Sequence, residues 1–263
     1  GPEEPRSKGD IANYIPEFAD GIIKFAEEKG ITYDVIHSHY WMSGLAAEAL
    51  SDAWGGTPIV HMFHTLGEMK NRVARSESER AGVDRLKGER QVLRRADRII
   101  AATIAEITQL RFLYRAESRK LVIVPPGVDT SHFYPIPADE AKQYLGLKPE
   151  NRMVLFVGRI EPLKGLDTLI QAMSCLDLQE IHRPVHLAII GGEPDVIPED
   201  MTEEMTRLQK LCDDLCMGGM VVFLGKRGQD TLPYYYSAAE VVVMPSLYES
   251  FGMVALEAMA CGT

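Results

Sequence analysis

The sequence predicts an α/β protein built as two parallel-sheet domains. Three observations lead there. Runs such as "RMVLFVG", "VHLAIIGG" and "EVVVMP" are almost wholly apolar, the pattern of strands covered on both faces. Longer segments with apolar residues at helical spacing separate them. A proline-rich connector, "PPGVDTSHFYPIPADEAKQYLGLKP" (residues 125–149), interrupts this alternation before it restarts.

Taken in order, residues 11–29 place Ile15, Phe18, Ala19, Ile22 and Ala26 on one helical face, and Gly30 supplies a stop. "YDVIHSH" reads as a strand, "SGLAAEAL" as a helix and "TPIVHMF" as a strand. The charged stretch 77–96 suits an exposed helix. "RIIAAT" and "KLVIVPP" are strands around a helix at 104–115. Past the connector the strands are "RMVLFVG", "VHLAIIGG", "MVVFLG" and "EVVVMP". Helices are expected to begin near Leu166, Glu203 and Thr231, with a last one after Gly252. A boundary near Pro149 gives domains 1–148 and 149–263, with a ligand crevice expected between them.

Composition narrows the function classes. Of 263 residues, 46% are hydrophobic and 25% charged, ordinary for a globular protein. A net charge of −10 argues against a general nucleic-acid binder. No apolar run approaches a membrane span, and no signal-peptide layout is present. The four cysteines have no zinc spacing and read as reduced thiols of a cytoplasmic protein.

Two stretches stand out chemically. In "FVGRIEPLKG" a strand ends at Gly158 and a helix starts near Gly165-Leu166. Arg159 and Lys164 then sit at the carboxyl end of a parallel strand, beside a glycine turn and a helix N-terminus, a combination suited to a diphosphate. A βα turn with two solvated cations explains the same residues equally well. No GxGxxG is present, which disfavours a nicotinamide or flavin cofactor. In "YESFGMVALEAMACG", Glu249 lies before a helix and Glu257 within it. Unbroken helix would set these acids about 80° apart around the axis. A break at Ser250-Phe251-Gly252 lets both face one ligand, with first-turn amides between them. Alternatively, Glu249 is a loop acid stabilised by the helix dipole, and Glu257 a solvated helix residue.

His37, His39, His61 and His64 come from two neighbouring strands. No carboxylate or cysteine completes a usual zinc ligand set there, and no metal is expected. His64 and Thr65 should lie at the open end of their strand; His37 and His61 read as buried, hydrogen-bonded histidines.

The acids Glu249 and Glu257, the "GRIEPLKG" loop, the "PPGVD" motif and the "HSHYW…HTL" pair together resemble the retaining glycosyltransferases of family 4, whose fold is GT-B. The likeness runs along nearly the whole chain. Within the family it is greatest to sucrose-phosphate synthases and to the enzymes that glycosylate inositol phosphate, the latter at "YDVIHSHYWMSG", "FHTL", "GE" at 88–89 and "ESFGMVALEA". The resemblance implies that Arg159 and Lys164, next to Gly158, neutralise the donor diphosphate. It implies that Glu257 binds the ribose and Glu249 the transferred sugar, with amides near Phe251 and Gly252 on sugar and phosphate. His64 would stand beside the anomeric centre, and Gly225, Lys226 and Arg227 where the base is held. Lys8, Tyr40, Thr65 and Arg85 would bind an acceptor phosphate.

The implied reaction transfers a sugar with retention from a nucleotide sugar, UDP-sugar favoured, to a small phosphorylated polyol or sugar. Arg159 and Lys164 take up the leaving-group charge, so no metal or other cofactor is required. No residue stands out as a covalent nucleophile. Family members continue beyond both ends of this sequence, so an internal part of such a protein is expected, with exposed sheet edges and little transferase activity. A non-catalytic nucleotide-sugar binder and a GT-B sugar-nucleotide epimerase are the alternatives; retention of both cations and both acids weighs against the first. A pyridoxal-phosphate phosphorylase would need a cofactor lysine that has no candidate here.

Overall fold

Parallel strands alternate with helices throughout the computed structural model, which describes residues 8–176, 184–192 and 202–263, and of Lys8 and Gly9 the backbone alone. The chain divides into two compact units, Gly1–Pro126 and Gly127–Thr263.

In the first unit a short helix, α1 (Lys8–Ile11), leads into α2 (Ile15–Lys29), which Gly30 ends in a left-handed conformation at φ 62°. Then come β1 (Ile36–His39), α3 (Tyr40–Ala53), β2 (Ile59–Met62), α4 (Gly67–Val73), α5 (Val83–Arg95), β3 (Arg98–Ala101), α6 (Ile104–Tyr114) and β4 (Leu121–Ile123). The four strands are parallel in the order β1-β2-β3-β4. Phe63, Leu66, Val92, Ile99 and Leu110 form the buried core against them. The stretch 77–96 departs from the exposed helix expected of it. A 3-10 turn covers Glu77–Glu79, the helix proper begins at Val83, and α5 buries Gly88, Glu89, Val92 and Leu93 along one face. Close packing explains the glycine: a Cβ at Gly88 would stand 2.6 Å from Trp41 Cε3.

The second unit holds α7 (Ala138–Tyr144), β5 (Arg152–Val157), α8 (Leu166–Ser174), β6 (Val185–Ile190), α9 (Glu203–Asp214), β7 (Val221–Gly225), α10 (Leu232–Ala238), β8 (Val241–Val242) and α11 (Met253–Ala260). Its parallel sheet runs β7-β6-β5-β8. Side chains alternate between faces as the two-residue period requires. Met153 and Leu155 of β5 and Ala188 and Ile190 of β6 enter one core, while Phe156, Leu187 and Ile189 enter the other. Both faces are covered, which is why these strands read as continuous apolar runs.

The connector differs from the sequence reading. Residues 127–148 group with the second unit, not with 1–126. Phe133 and Ala141 are buried in its core, and Ile136 N–H donates to Ser237 Oγ at 3.1 Å. Prolines there shape an irregular segment that docks on α10 instead of a free linker. Among the described residues, no helix is long and apolar enough to cross a membrane.

Candidate functional site

The strand order fixes where a ligand can sit in the second unit. From β5 the chain steps outward through β6 and β7, then returns to place β8 on the other side of β5. The carboxyl ends of β5 and β8 therefore flank the point at which the topology reverses, where open α/β sheets bind ligands. The loop after β5 carries Gly158, Arg159 and Lys164; the loop after β8 carries Glu249, Phe251 and Gly252.

Backbone contacts tie these loops together. Leu247 N–H donates to Leu163 O at 2.9 Å. Gly165 opens α8 at φ 67°, and a Cβ there would lie 2.3 Å from Pro245 O, so a side chain would force the loops apart. Gly252 begins α11 at φ 93° with Met244 Cε 2.9 Å from its would-be Cβ. Between β5 and β6, Gly191 approaches Gly158 so closely that a Cβ would meet Gly158 O at 1.8 Å.

On this frame Lys164 Nζ donates to Glu249 Oε1. Lys164 is 16% exposed and Glu249 32%, so the pair is half-shielded from water yet open to a ligand. Arg159 extends into solvent and pairs with Glu161, Nη1 to Oε1 at 2.7 Å. Glu257, on α11, accepts from the buried Tyr236 hydroxyl at 2.6 Å. It is neither a solvated surface acid nor an unpartnered one. Burial, followed by the bond and charge of Glu257, raises the Tyr236 pKa far above its usual value, so the hydroxyl remains a donor. Gly225 closes β7, and its carbonyl accepts from Gly191 N–H at 3.0 Å. Lys226 and Arg227 follow it, exposed; Arg227 Nε donates to Tyr235 Oη at 3.1 Å.

A second cluster forms at the carboxyl ends of β1 and β2. His39 closes β1, and His64 lies just beyond β2. His39 Nδ1 and His64 Nε2 are 2.8 Å apart and share one proton between ring nitrogens. Desolvation lowers both pKa values; positive charge on His37 adds to the effect at His39, and charge on His39 and His37 at His64. Both effects favour the neutral rings, and a neutral pair can hold this hydrogen bond with one nitrogen donating and the other accepting. Tyr40 and His64 adopt left-handed φ of 68° and 63°, strained for residues with side chains and a feature that gathers at functional sites.

Beside them Arg85 Nη2 donates to Thr65 O and Thr65 Oγ1, both at 3.0 Å, and its guanidinium carbon lies 5.2 Å from the Tyr40 ring centroid. Three of the four residues matched to an acceptor phosphate are thus in contact. The fourth, Lys8, opens α1, and its side chain lies outside the described residues.

His61 is buried and hydrogen-bonded to Ser38 Oγ at 2.8 Å, as its strand position predicts. Desolvation, then charge on His39, His64 and His37, lowers its pKa to about 3. His37 differs from expectation: it is exposed, its ring tilted against His39 at 4.3 Å, because β1 presents that face to solvent. Among the described residues, no group of three or more His, Cys, Asp or Glu is placed to hold a metal ion.

Sequence reasoning missed Glu89, Tyr114 and Tyr236 as partners of site residues. Glu89 was visible only as part of the "GE" match at 88–89, and neither tyrosine carried a signal.

Known proteins agree with this architecture. The Glycosyltransferase Family 4 profile matches residues 2–132, and the Glycosyl transferases group 1 profile matches residues 137–263. A D-inositol 3-phosphate glycosyltransferase of Catenulispora acidiphila is 39% identical over all of this chain and 61% of its own length. The structure of sucrose-phosphate synthase from Thermosynechococcus elongatus superposes with a TM-score of 0.85 at 34% identity, covering all of this chain and 62% of that one. Anabaena HepE in complex with UDP and glucose shares the fold at 21% identity and a TM-score of 0.73, over 99% of this chain and 64% of that one. The chain spans about three fifths of the length of these proteins. With the two profiles meeting near the connector and dividing nearly all the residues between them, the chain belongs to the family 4/group 1 glycosyltransferases of GT-B fold.

Proposed function

We propose that the protein transfers a sugar, with retention, from a UDP-sugar to a small phosphorylated polyol or sugar. The observation that carries this reading is the Lys164–Glu249 pair across the switch point of β5 and β8. A cation and an acid so placed can part to grip the two ends of one donor, the cation on phosphate and the acid on sugar hydroxyls. Arg159 exchanges Glu161 for a phosphate oxygen, beside Gly158. Amides at Phe251 and Gly252 receive phosphate or sugar oxygens, Glu257 receives the ribose, and Gly225, Lys226 and Arg227 flank the base. Arg159 and Lys164 absorb the charge of the departing diphosphate, which removes the need for a metal ion.

On the first unit, Tyr40, Thr65 and Arg85, with Lys8, bind the acceptor phosphate, since cations and hydroxyls suit a phosphomonoester. His64 hydrogen-bonds a sugar hydroxyl. Four unpaired cysteines fit a reducing, cytoplasmic setting. Inositol 3-phosphate appears in the name of the Catenulispora relative, which supports a phosphorylated acceptor.

An assay of hydrolysis and transfer against UDP-, GDP- and ADP-sugars, with inositol phosphate, fructose phosphate and their dephosphorylated forms, tests the proposal. UDP-sugars and phosphorylated acceptors are expected to be preferred. Transfer that persists in Arg159→Ala and Lys164→Ala, or equal rates with and without the acceptor phosphate, would refute it.

A further inference from the structure

A fully buried carboxylate stands behind the Arg85 cluster. Glu89 has no solvent exposure, yet its two oxygens take bonds from Arg85 on its own helix and from two other segments of the first unit, α4 and α6. Oε1 accepts from Arg85 Nε at 2.8 Å and from Gly67 N–H at 3.0 Å. Oε2 accepts from Gly67 N–H at 3.1 Å and from the Tyr114 hydroxyl. Tyr114 in turn accepts from Glu68 N–H at 2.9 Å, so α6 closes the network against the start of α4. A Cβ at Gly67 would approach Glu89 Oε2 to 2.9 Å, which leaves the loop no room to shift toward the acid.

The consequence falls on Arg85. Glu89 takes Nε, Thr65 takes Nη2, and Nη1 donates to no described residue. The guanidinium is therefore pinned along one edge, over the Tyr40 ring, with its remaining terminal nitrogen engaged by none of the described residues. An arginine held this way forfeits little side-chain freedom when it binds an oxyanion. The carboxylate also cancels much of the cation's charge, which by itself weakens attraction for an anion. Geometry and charge thus act in opposite directions.

We infer that Glu89, with Tyr114, is the positioning residue that orients Arg85, and through it Thr65, for an acceptor phosphate, with geometry outweighing charge. This deepens the acceptor reading above and rests on it.

The opposed signs make the test decisive. Glu89→Gln removes the negative charge while nearly preserving shape, but turns an amide N–H toward a network made of donors. If charge alone mattered, an anion would bind this variant more tightly. Tyr114→Phe keeps the ring and removes the hydroxyl that clamps Oε2 and accepts from Glu68 N–H. Inorganic phosphate titrated into the protein and followed by NMR, with UDP affinity as the reference, is expected to bind Glu89→Gln about tenfold more weakly, Tyr114→Phe more weakly by a smaller factor, and Arg85→Ala not at all, while UDP binds all of them equally. In transfer assays the KM for a phosphorylated acceptor should rise, and that for its dephosphorylated form should not. If Arg85→Ala retains phosphate binding, the acceptor reading itself falls. If Arg85→Ala loses it but Glu89→Gln binds phosphate as tightly as the parent or tighter, the positioning role alone is overturned. Should Glu89→Gln fail to fold, Tyr114→Phe decides: unchanged phosphate binding contradicts the inference.

Discussion

Lys164 and Glu249 lie 85 positions apart and meet as an ion pair where the loops of β5 and β8 converge. The pairing satisfies both charges while the site is empty and sets them side by side for a ligand that offers an anion and hydroxyls together. Exposed pairs contribute only about 0–1 kcal/mol, so a pair this open is a weak stabiliser. Its value lies in placement.

The two halves of the pair should therefore fail differently. Lys164→Ala is expected to weaken UDP and inorganic pyrophosphate alike, by about tenfold or more, since one charge-assisted contact is lost. Glu249→Gln should leave UDP affinity close to that of the parent and abolish the extra affinity of a UDP-sugar over UDP. Calorimetric titration of the three ligands separates these outcomes.

Tyr236→Phe tests the ribose role of Glu257. The ring stays in the core beside Phe133, and only the hydroxyl that fixes Glu257 Oε2 is removed. Uridine monophosphate should bind several-fold more weakly, and pyrophosphate unchanged, in line with one hydrogen bond to a charged group, about 1.5–3 kcal/mol at most. An equal loss for both ligands would mean general damage to the second unit.

The buried His61 predicts how stability depends on pH. Its folded pKa, about 3, lies below the unfolded value near 6.5, so the unfolded chain binds more protons in between. Stability contributed by neutral His61 is complete above pH 6.5 and declines as pH falls toward 3. The slope approaches about 1.4 kcal/mol per pH unit. Between pH 6.5 and 5 the carboxylates contribute little, and urea unfolding should show the loss there. In His61→Gln that part of the slope should vanish; an unchanged slope would assign the effect to other groups.

Two glycines distinguish conformational strain from close approach. Gly30→Ala changes a left-handed cap with nothing within 4 Å of the new Cβ, and should cost about 1 kcal/mol. Gly165→Ala adds the clash with Pro245 O, and should cost roughly 2–4 kcal/mol and weaken UDP binding as the two loops separate. Urea midpoints of the two variants compare them directly; equal costs would remove the loop contact from the account.

The strands of the second unit were legible because both sheet faces are buried, which leaves a continuous apolar signal. Lys164 and Glu249 were each legible from local context, as a cation after a strand and an acid before a helix. Their contact was not, because it depends on β8 pairing with β5 across the sheet, a long-range fact without local signature. Glu89 was hidden for a related reason. It belongs to a helix of mostly charged residues, where an acid shares the buried face with Gly88, Val92 and Leu93 and looks in sequence like its solvated neighbours. Prolines around Phe133 and Ala141 likewise imitated a linker where the chain packs into a core.

The central claim is that the strand-end site between β5 and β8 binds a nucleoside diphosphate through Arg159 and Lys164. Titration of UDP into the protein and into its Arg159→Ala and Lys164→Ala variants tests it most directly. Saturable binding to the parent is expected, weakened about tenfold or more in each variant. UDP binding that is absent from the parent, or equally tight in all three, would contradict it.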